Sequence, residues 1–355
     1  MPDQPWINKI STAAQIGGIE TSVLDTGAGK GTRIAWINTG TGLRYKVVLD
    51  RAMDIMDTFF NQHSLAWLSN VGITYPQPFS NRGVDWLKTF GGGLLTTCGL
   101  SHIGGPETDE HGERGLHGEI SNIPAEIESI IQPDPASGKL KFSITGKMKQ
   151  AQVLLSHLEL RRTISGELGK SSIHIHDDVT NKGNVPEAHM LLYHCNFGWP
   201  LIDDGTDILW NGKWFPRFNN GNQKIFVEGN NFRKCPPPLD IHNGTGEEVA
   251  LIDIDSDEAG QCVCGLHNSS LNLAVTLRFS KEQFPWLINW QHWGKGEYVT
   301  GLEPSTNNLD GQSQARKNKQ LILLQPGETR AYDLQIDVVH DKQSIEKLLQ
   351  EIKPH

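Results

Sequence analysis

The chain has 355 residues, 37% of them hydrophobic and 21% charged, and a formal net charge of −9, so it can bury a large core and does not have the composition of a disordered segment. No apolar run approaches the ~20 residues of a membrane-spanning helix, and no basic stripe offers itself to a phosphate backbone. Membrane and nucleic-acid partners are therefore not expected, and a small neutral partner suits the charge better.

The opening Met1-Pro2-Asp3-Gln4-Pro5 lacks the basic-then-apolar pattern of a secretory leader. The five cysteines (Cys98, Cys195, Cys235, Cys262, Cys264) are odd in number for a disulfide framework. A cytoplasmic protein with free thiols is the expectation. In chain order, residues 43–50, 140–144, 271–278 and 330–337 alternate apolar and polar with the period of two that marks half-buried strands. Thirty-seven glycines and eighteen prolines, spread throughout, supply turns for many such strands. A weak helical turn is predicted near 82–89. The stretch Phe90-Gly91-Gly92-Gly93 has no following Lys-Ser/Thr and opens no helix after a strand, so it reads as a place of close backbone passage. Residues 189–197 read as an apolar strand with His189 and His194 on opposite faces. Cys262 and Cys264, one residue apart with no second pair, read as strand packing. Near the end, apolar positions 345, 348, 349 and 352 predict a short helix capped by Ser344. No composition break or repeat divides the chain, so 1–355 is read as one mainly antiparallel, all-β domain.

Three side chains in tight local contexts carry the chemistry. His117 lies between Leu116 and Gly118, where the glycine leaves one side of the ring open to a ligand; a surface loop histidine is the bland alternative. His194 ends an apolar strand, and its bland alternative is a core histidine bonded to a backbone carbonyl. Glu303 closes the apolar run 298–302 just before Pro304, where burial would raise its pKa toward that of a useful base. Two imidazoles and a carboxylate are what cofactor-free acid–base chemistry on a small polar substrate requires. Arg51, in Asp50-Arg51-Ala52-Met53-Asp54, could hold a hydroxyl or bridge to Asp54. His174 and His176 point to one side of a strand. His102, His111 and His117 share a region but have no recognised metal-ligand spacing. The ten tryptophans suit either a sandwich core or the face of a sugar ring.

Taken in order, Leu116-His117-Gly118, then Val179-Thr180-Asn181 with His194-Cys195-Asn196-Phe197, then Leu302-Glu303-Pro304 resemble the aldose 1-epimerase (galactose mutarotase) superfamily. The longer strings at 49–55, 92–99, 189–197 and 301–304 resemble an uncharacterised branch of it. The resemblance implies a large antiparallel β-sandwich, the mutarotase-like supersandwich, with few short helices and a sugar cleft across one face. It implies Glu303 as base, His194 as acid and His117 as the holder of a hydroxyl, acting on a monosaccharide or sugar acid without cofactor or metal. Arg51 and Asp240 are candidates by location only for the arginine and aspartate that anchor the sugar in mutarotases, and His102 is a further candidate contact. Asn196 stands where those enzymes usually carry an aromatic residue, so it too is expected to face the substrate. Two other readings stay open: a sugar-binding or sensing protein without turnover, and a metal-dependent sugar isomerase or lyase using His102, His117, His194 or Glu303. The oligomeric state is not legible.

Overall fold

The computed structural model describes residues 6, 8–79, 81–217 and 224–352, so the opening stretch 1–5 lies outside the described residues. The four alternating runs form strands Leu43–Val48, Lys141–Ala151, Leu273–Ser280 and Thr329–Val339. The second is more than twice the predicted length, because Met148 and Gln150 continue the alternate burial begun at Phe142 and Ile144. The weak turn is a 3-10 helix, Asp85–Lys88. The terminal helix is Lys342–Glu351, with Ile345, Leu348 and Ile352 packed near Ala274 and Val339. Its cap differs from the expected one. Asp341 accepts from the Ser344 backbone N–H at 2.8 Å, which places Ser344 in the first turn instead of at the cap.

Three antiparallel sheets make up the body. An eight-stranded sheet runs Asp207–Leu209, Gln261–Asn268, Leu273–Ser280, Thr329–Val339, Ser172–Asn181, His157–Glu167, Lys141–Ala151, Glu126–Ile131. A seven-stranded sheet runs Gly212–Pro216, Glu248–Ile254, Trp286–Gly294, Glu297–Ser305, Glu187–Phe197, with Ile322–Leu324 and Thr96–Leu100 sharing the last edge. A five-stranded sheet holds Gly18–Val23, Arg33–Asn38, Leu43–Val48, Asp54–Phe60 and His63–Ser64. One apolar cluster takes side chains from all three, among them Tyr45, Ile55, Ile164, Leu334, Leu191 and Leu302. The five cysteines are buried and free, and no helix among the described residues is long and apolar enough to cross a membrane.

The Glu187–Phe197 strand is buried on both faces. Leu191, Tyr193 and Cys195 point into the main core, while Met190 and Leu192 join a second cluster with Trp86, Phe90, Val249 and Ile288. Because the side-chain period is two, a slip of one residue would drive the His194 imidazole into the main core, so burial on both faces fixes the register. On the core side the strand is tied down by a buried ionic network. Arg162 donates from Nε and Nη2 to the two oxygens of Asp177, at 2.9 and 2.6 Å, and from Nη1 to Asp54 at 3.2 Å. Tyr193 donates its hydroxyl proton to Asp177 at 2.6 Å, and Thr97, opposite Tyr193 on the next strand, donates to Asp54 from both N–H and hydroxyl. The network links all three sheets directly beneath the strand that carries His194.

Candidate active site

Antiparallel register brings the acid–base pair together. The pairing that sets Leu192 opposite Ser305 and Cys195 opposite Leu302 puts His194 opposite Glu303, on the face away from the main core. His194 Nδ1 lies 3.3 Å from Glu303 Oε1, with both side chains almost fully buried. The approach is not aligned as a hydrogen bond, and neither atom has a hydrogen-bond partner among the described residues. Burial pushes the His194 imidazole down to about 4. Burial also raises Glu303 well above the ordinary carboxylate range; the charge of Glu247 adds to this and Arg217 opposes it.

His117 reaches the same place from a loop laced to the Thr96–Leu100 strand. Its carbonyl accepts from Gly99 N–H at 3.0 Å, its own N–H donates to Gly104 O at 3.0 Å, and its φ is +58°. Nδ1 accepts from Gly104 N–H at 3.4 Å, so in the neutral ring the proton sits on Nε2 and makes that nitrogen a donor. Burial, then the charges of His194, Arg217 and His102, hold this imidazole well below its usual pKa. A clamp steadies the loop from outside: Arg114 bonds Glu107 and Asp109, which in turn accept from Ser313 in the Gly311–Lys317 helix.

These three residues line a cleft of about 380 Å³ together with Trp86, Phe90, Arg217, Glu247, Ile288 and Trp290. The histidine rings sit edge to face at 5.8 Å, Trp86 lies 4.9 Å from His117, and Trp290 stands edge-on to His194 at 5.4 Å. Trp290 also donates its indole N–H to Glu247 at 2.9 Å. The walls are thus aromatic, with polar groups at fixed points, as in a site for a small ligand with both apolar and hydroxyl faces. Among the described residues, a larger groove of about 640 Å³ beside the Gly18–Val23 strand is lined by no histidine and by none of these residues.

The remaining candidates stand elsewhere. Arg51 is buried behind the cleft wall, donating to Ser121 O, Thr74 Oγ1 and Thr89 O, and burial lowers its pKa to about 10. Trp86 bonds the Ser121 hydroxyl at 3.2 Å, so Arg51 braces the wall from behind and does not face the ligand space. Asp240 is on the surface, paired with Lys295 at 2.7 Å. His102 is buried beneath the His117 loop, with Nε2 at 2.8 Å from Gly105 O, and does not line the cleft. Asn196 is buried as well. Its amide donates to Gly93 O and His194 O, because in this strand it fills the space next to the Gly-rich turn. At that turn a Cβ on Gly92 or Gly93 would strike the carbonyl of Trp67 or Ile55, which accounts for the close backbone passage expected there. His189 points the opposite way from His194, to Leu100 O and the Tyr332 hydroxyl. His176 pairs with Asp333 on the outer face of the eight-stranded sheet. Among the described residues no group of three or more His, Cys, Asp and Glu side chains is arranged to hold a metal ion. Arg217, Glu247, Trp86 and Trp290 were not singled out in sequence; the one local signal was Trp290 alternating with Trp286 on an apolar strand.

The family model described as "Domain of unknown function (DUF4432)" matches residues 29–338. Comparison with curated proteins finds no match. Among solved structures, a "putative aldose 1-epimerase" from Klebsiella pneumoniae superposes with a TM-score of 0.82 at 24% identity, over 94% of this chain and 86% of that one. A galactose mutarotase-like protein from Clostridium acetobutylicum gives 0.62 at 11% identity, over 92% and 100%. Galactose 1-epimerase from Lactobacillus acidophilus gives 0.58 at 10%, over 90% and 98%. At these identities the likeness establishes the galactose mutarotase-like fold, and the site has to be argued from its own residues.

Proposed function

We propose that this chain, which belongs to the family described as Domain of unknown function (DUF4432), interconverts the anomers of a small sugar by acid–base opening and closing of its ring, without a cofactor. The observation that carries this reading is the pair His194 Nδ1 and Glu303 Oε1, 3.3 Å apart in an aromatic cleft and without other hydrogen-bond partners among the described residues. Buried polar atoms left unpaired cost about 1–3 kcal/mol each, and a bound sugar hydroxyl would offset that cost.

In the forward step Glu303 takes the proton of the anomeric hydroxyl while His194 gives one to the ring oxygen. The bond between C1 and the ring oxygen breaks as the C1 carbonyl forms. Rotation about C1–C2 presents the other face of the aldehyde, and the reverse transfers close the ring. The proton count balances throughout. A carboxylate with an imidazolium holds the same protons as a carboxylic acid with a neutral imidazole, and the pair alternates between these forms. The perturbed affinities suit both roles: a carboxylate with a raised pKa is the stronger base, and an imidazolium with a lowered pKa is the stronger acid. His117 donates from Nε2 to a sugar hydroxyl, and the walls of Trp86 and Trp290 offer surface to the C–H face of the ring.

The test is polarimetry or exchange NMR on freshly dissolved α-anomers of a panel of free monosaccharides and sugar acids. Faster equilibration of at least one sugar is expected, with a rate that falls as pH drops through about 4, where the pair gains a second proton. Uncatalysed rates across the whole panel would overturn the reading.

A further inference from the structure

Gly301 lies in the middle of the Glu297–Ser305 strand, opposite Trp290 on one side and Asn196 on the other. A glycine inside a strand weakens it, and here the backbone is not in the left-handed region that would require one. The reason lies in what fills the space of the absent side chain. A Cβ on Gly301 would overlap Glu303 Oε1 and come within 3.2 Å of its carboxyl carbon, while the next neighbour, Trp290 Cβ, would be at 3.3 Å. The Glu303 side chain therefore folds back along its own strand, over the α-carbon two residues before it, and this fold-back is what sets Oε1 against His194.

We infer that Gly301 is a positioning residue: its bare α-carbon is the seat that holds the Glu303 carboxyl against His194. The inference rests on the acid–base reading above. A contrast within the same molecule supports it. At Gly265, also within a strand, a Cβ would strike the carbonyl oxygen of Val275, a backbone atom in a buried sheet that cannot retreat. At Gly301 the obstructing atom is the free end of a flexible side chain. A methyl group at 265 would strain the fold, whereas one at 301 asks a slight shift of Trp290 Cβ and chiefly moves the carboxyl out toward the cleft.

Gly301→Ala in the full chain tests this. The variant is expected to fold with Tm unchanged or raised, since alanine costs the strand less than glycine. For the sugar the wild type turns over, kcat is expected to fall ~10²-fold, the size of effect that a displacement of about 1 Å produces, with KM nearly unchanged. The upper limb of the pH–rate profile should move to lower pH, because a carboxyl released toward water loses the burial that raises its pKa. An unchanged kcat together with an unmoved upper limb would refute the assignment. A double-mutant cycle in urea decides the same point without activity: Gly301→Ala should be more favourable to stability in the Glu303→Asp background, whose shorter side chain vacates the seat, than in the wild type, where the methyl group must also displace the carboxyl. Equal effects in the two backgrounds would also refute it; should Gly301→Ala alone fail to fold, recovery of folding in the Gly301→Ala, Glu303→Asp double variant is expected, and a double variant that still fails to fold would refute the seat. Should the wild type accelerate no sugar, the reaction reading falls by itself, while the cycle still decides whether the carboxyl occupies the seat.

Discussion

On the core face of the Glu187–Phe197 strand, Tyr193 donates to Asp177, which is held bidentate by Arg162, and Arg162 reaches on to Asp54. On the opposite face, one residue along, His194 meets Glu303, and the two facing atoms have no hydrogen-bond partner among the described residues. Both regions bury titratable groups in a sheet, so burial alone does not distinguish them. The difference is satisfaction. Each core carboxylate accepts several hydrogen bonds and faces a cation, so much of its desolvation is offset within the protein. The cleft pair carries desolvation that no hydrogen bond at its two facing atoms offsets and that the charge of Arg217 only opposes, which leaves the carboxylate and the imidazole open to a ligand.

Substitutions on the two faces should therefore act on different quantities. Glu303→Gln keeps the shape of the side chain and removes its proton chemistry. We expect kcat to fall ~10²–10⁴-fold with Tm unchanged or higher, because a neutral amide is easier to bury than an ionisable group. Arg162→Met should do the reverse. Removing the cation leaves Asp177 and Asp54 buried without their partner, at a cost of about 3–5 kcal/mol by urea denaturation, while the fraction that folds keeps its kcat. A large loss of Tm in Glu303→Gln, or a lowered kcat in folded Arg162→Met, would break the distinction.

Asp54 sharpens it further, because it belongs to the satisfied network yet remains titratable. Burial raises its pKa from 3.8 to about 6 against the opposing pull of Arg162, Thr97 and Arg51. With the folded value above the unfolded one, the protonated form favours the fold. The stabilisation is complete below about pH 3.8 and is lost as pH rises through about 6, a change of roughly 3 kcal/mol. Asp54→Asn removes this slope. Relative to wild type, the variant should gain stability as pH goes from 4 to 6, other carboxyls cancelling in the difference. A difference that is flat across that range would mean that Asp54 stays ionised in its pairing with Arg162.

The same contrast explains what could be read in the sequence. Alternation exposed the strands because a half-buried sheet imposes it on every second residue, and Glu303 stood out because a carboxylate ending an apolar run has to be accounted for. His194 and Glu303 could each be suspected, but their pairing depends on strand register, which no local pattern encodes. Arg217 and Glu247 reach the cleft from the end of one strand and the approach to another, and only tertiary packing brings them there. Arg51 failed as an anchor for the complementary reason. Its run of charged residues among apolar ones does mark a buried polar site, but one that is satisfied by backbone carbonyls. Sequence shows that a polar group will be buried; whether the fold or a ligand satisfies it is decided in three dimensions.

Asp240 supplies the smallest expected effect and the control for all the others. It was a candidate anchor by its place in the chain, yet it sits on a surface 3-10 turn, with its carboxylate held below the usual range by Lys295. An exposed pair of this kind is screened by water and salt and has no part in either face of the sheet. Asp240→Ala should therefore leave Tm, kcat and KM at wild-type values, measured in the same assays as Glu303→Gln and Arg162→Met. A raised KM in Asp240→Ala would mean that the turn closes over the cleft when sugar binds, and the floor of the site would then have to be redrawn to include it.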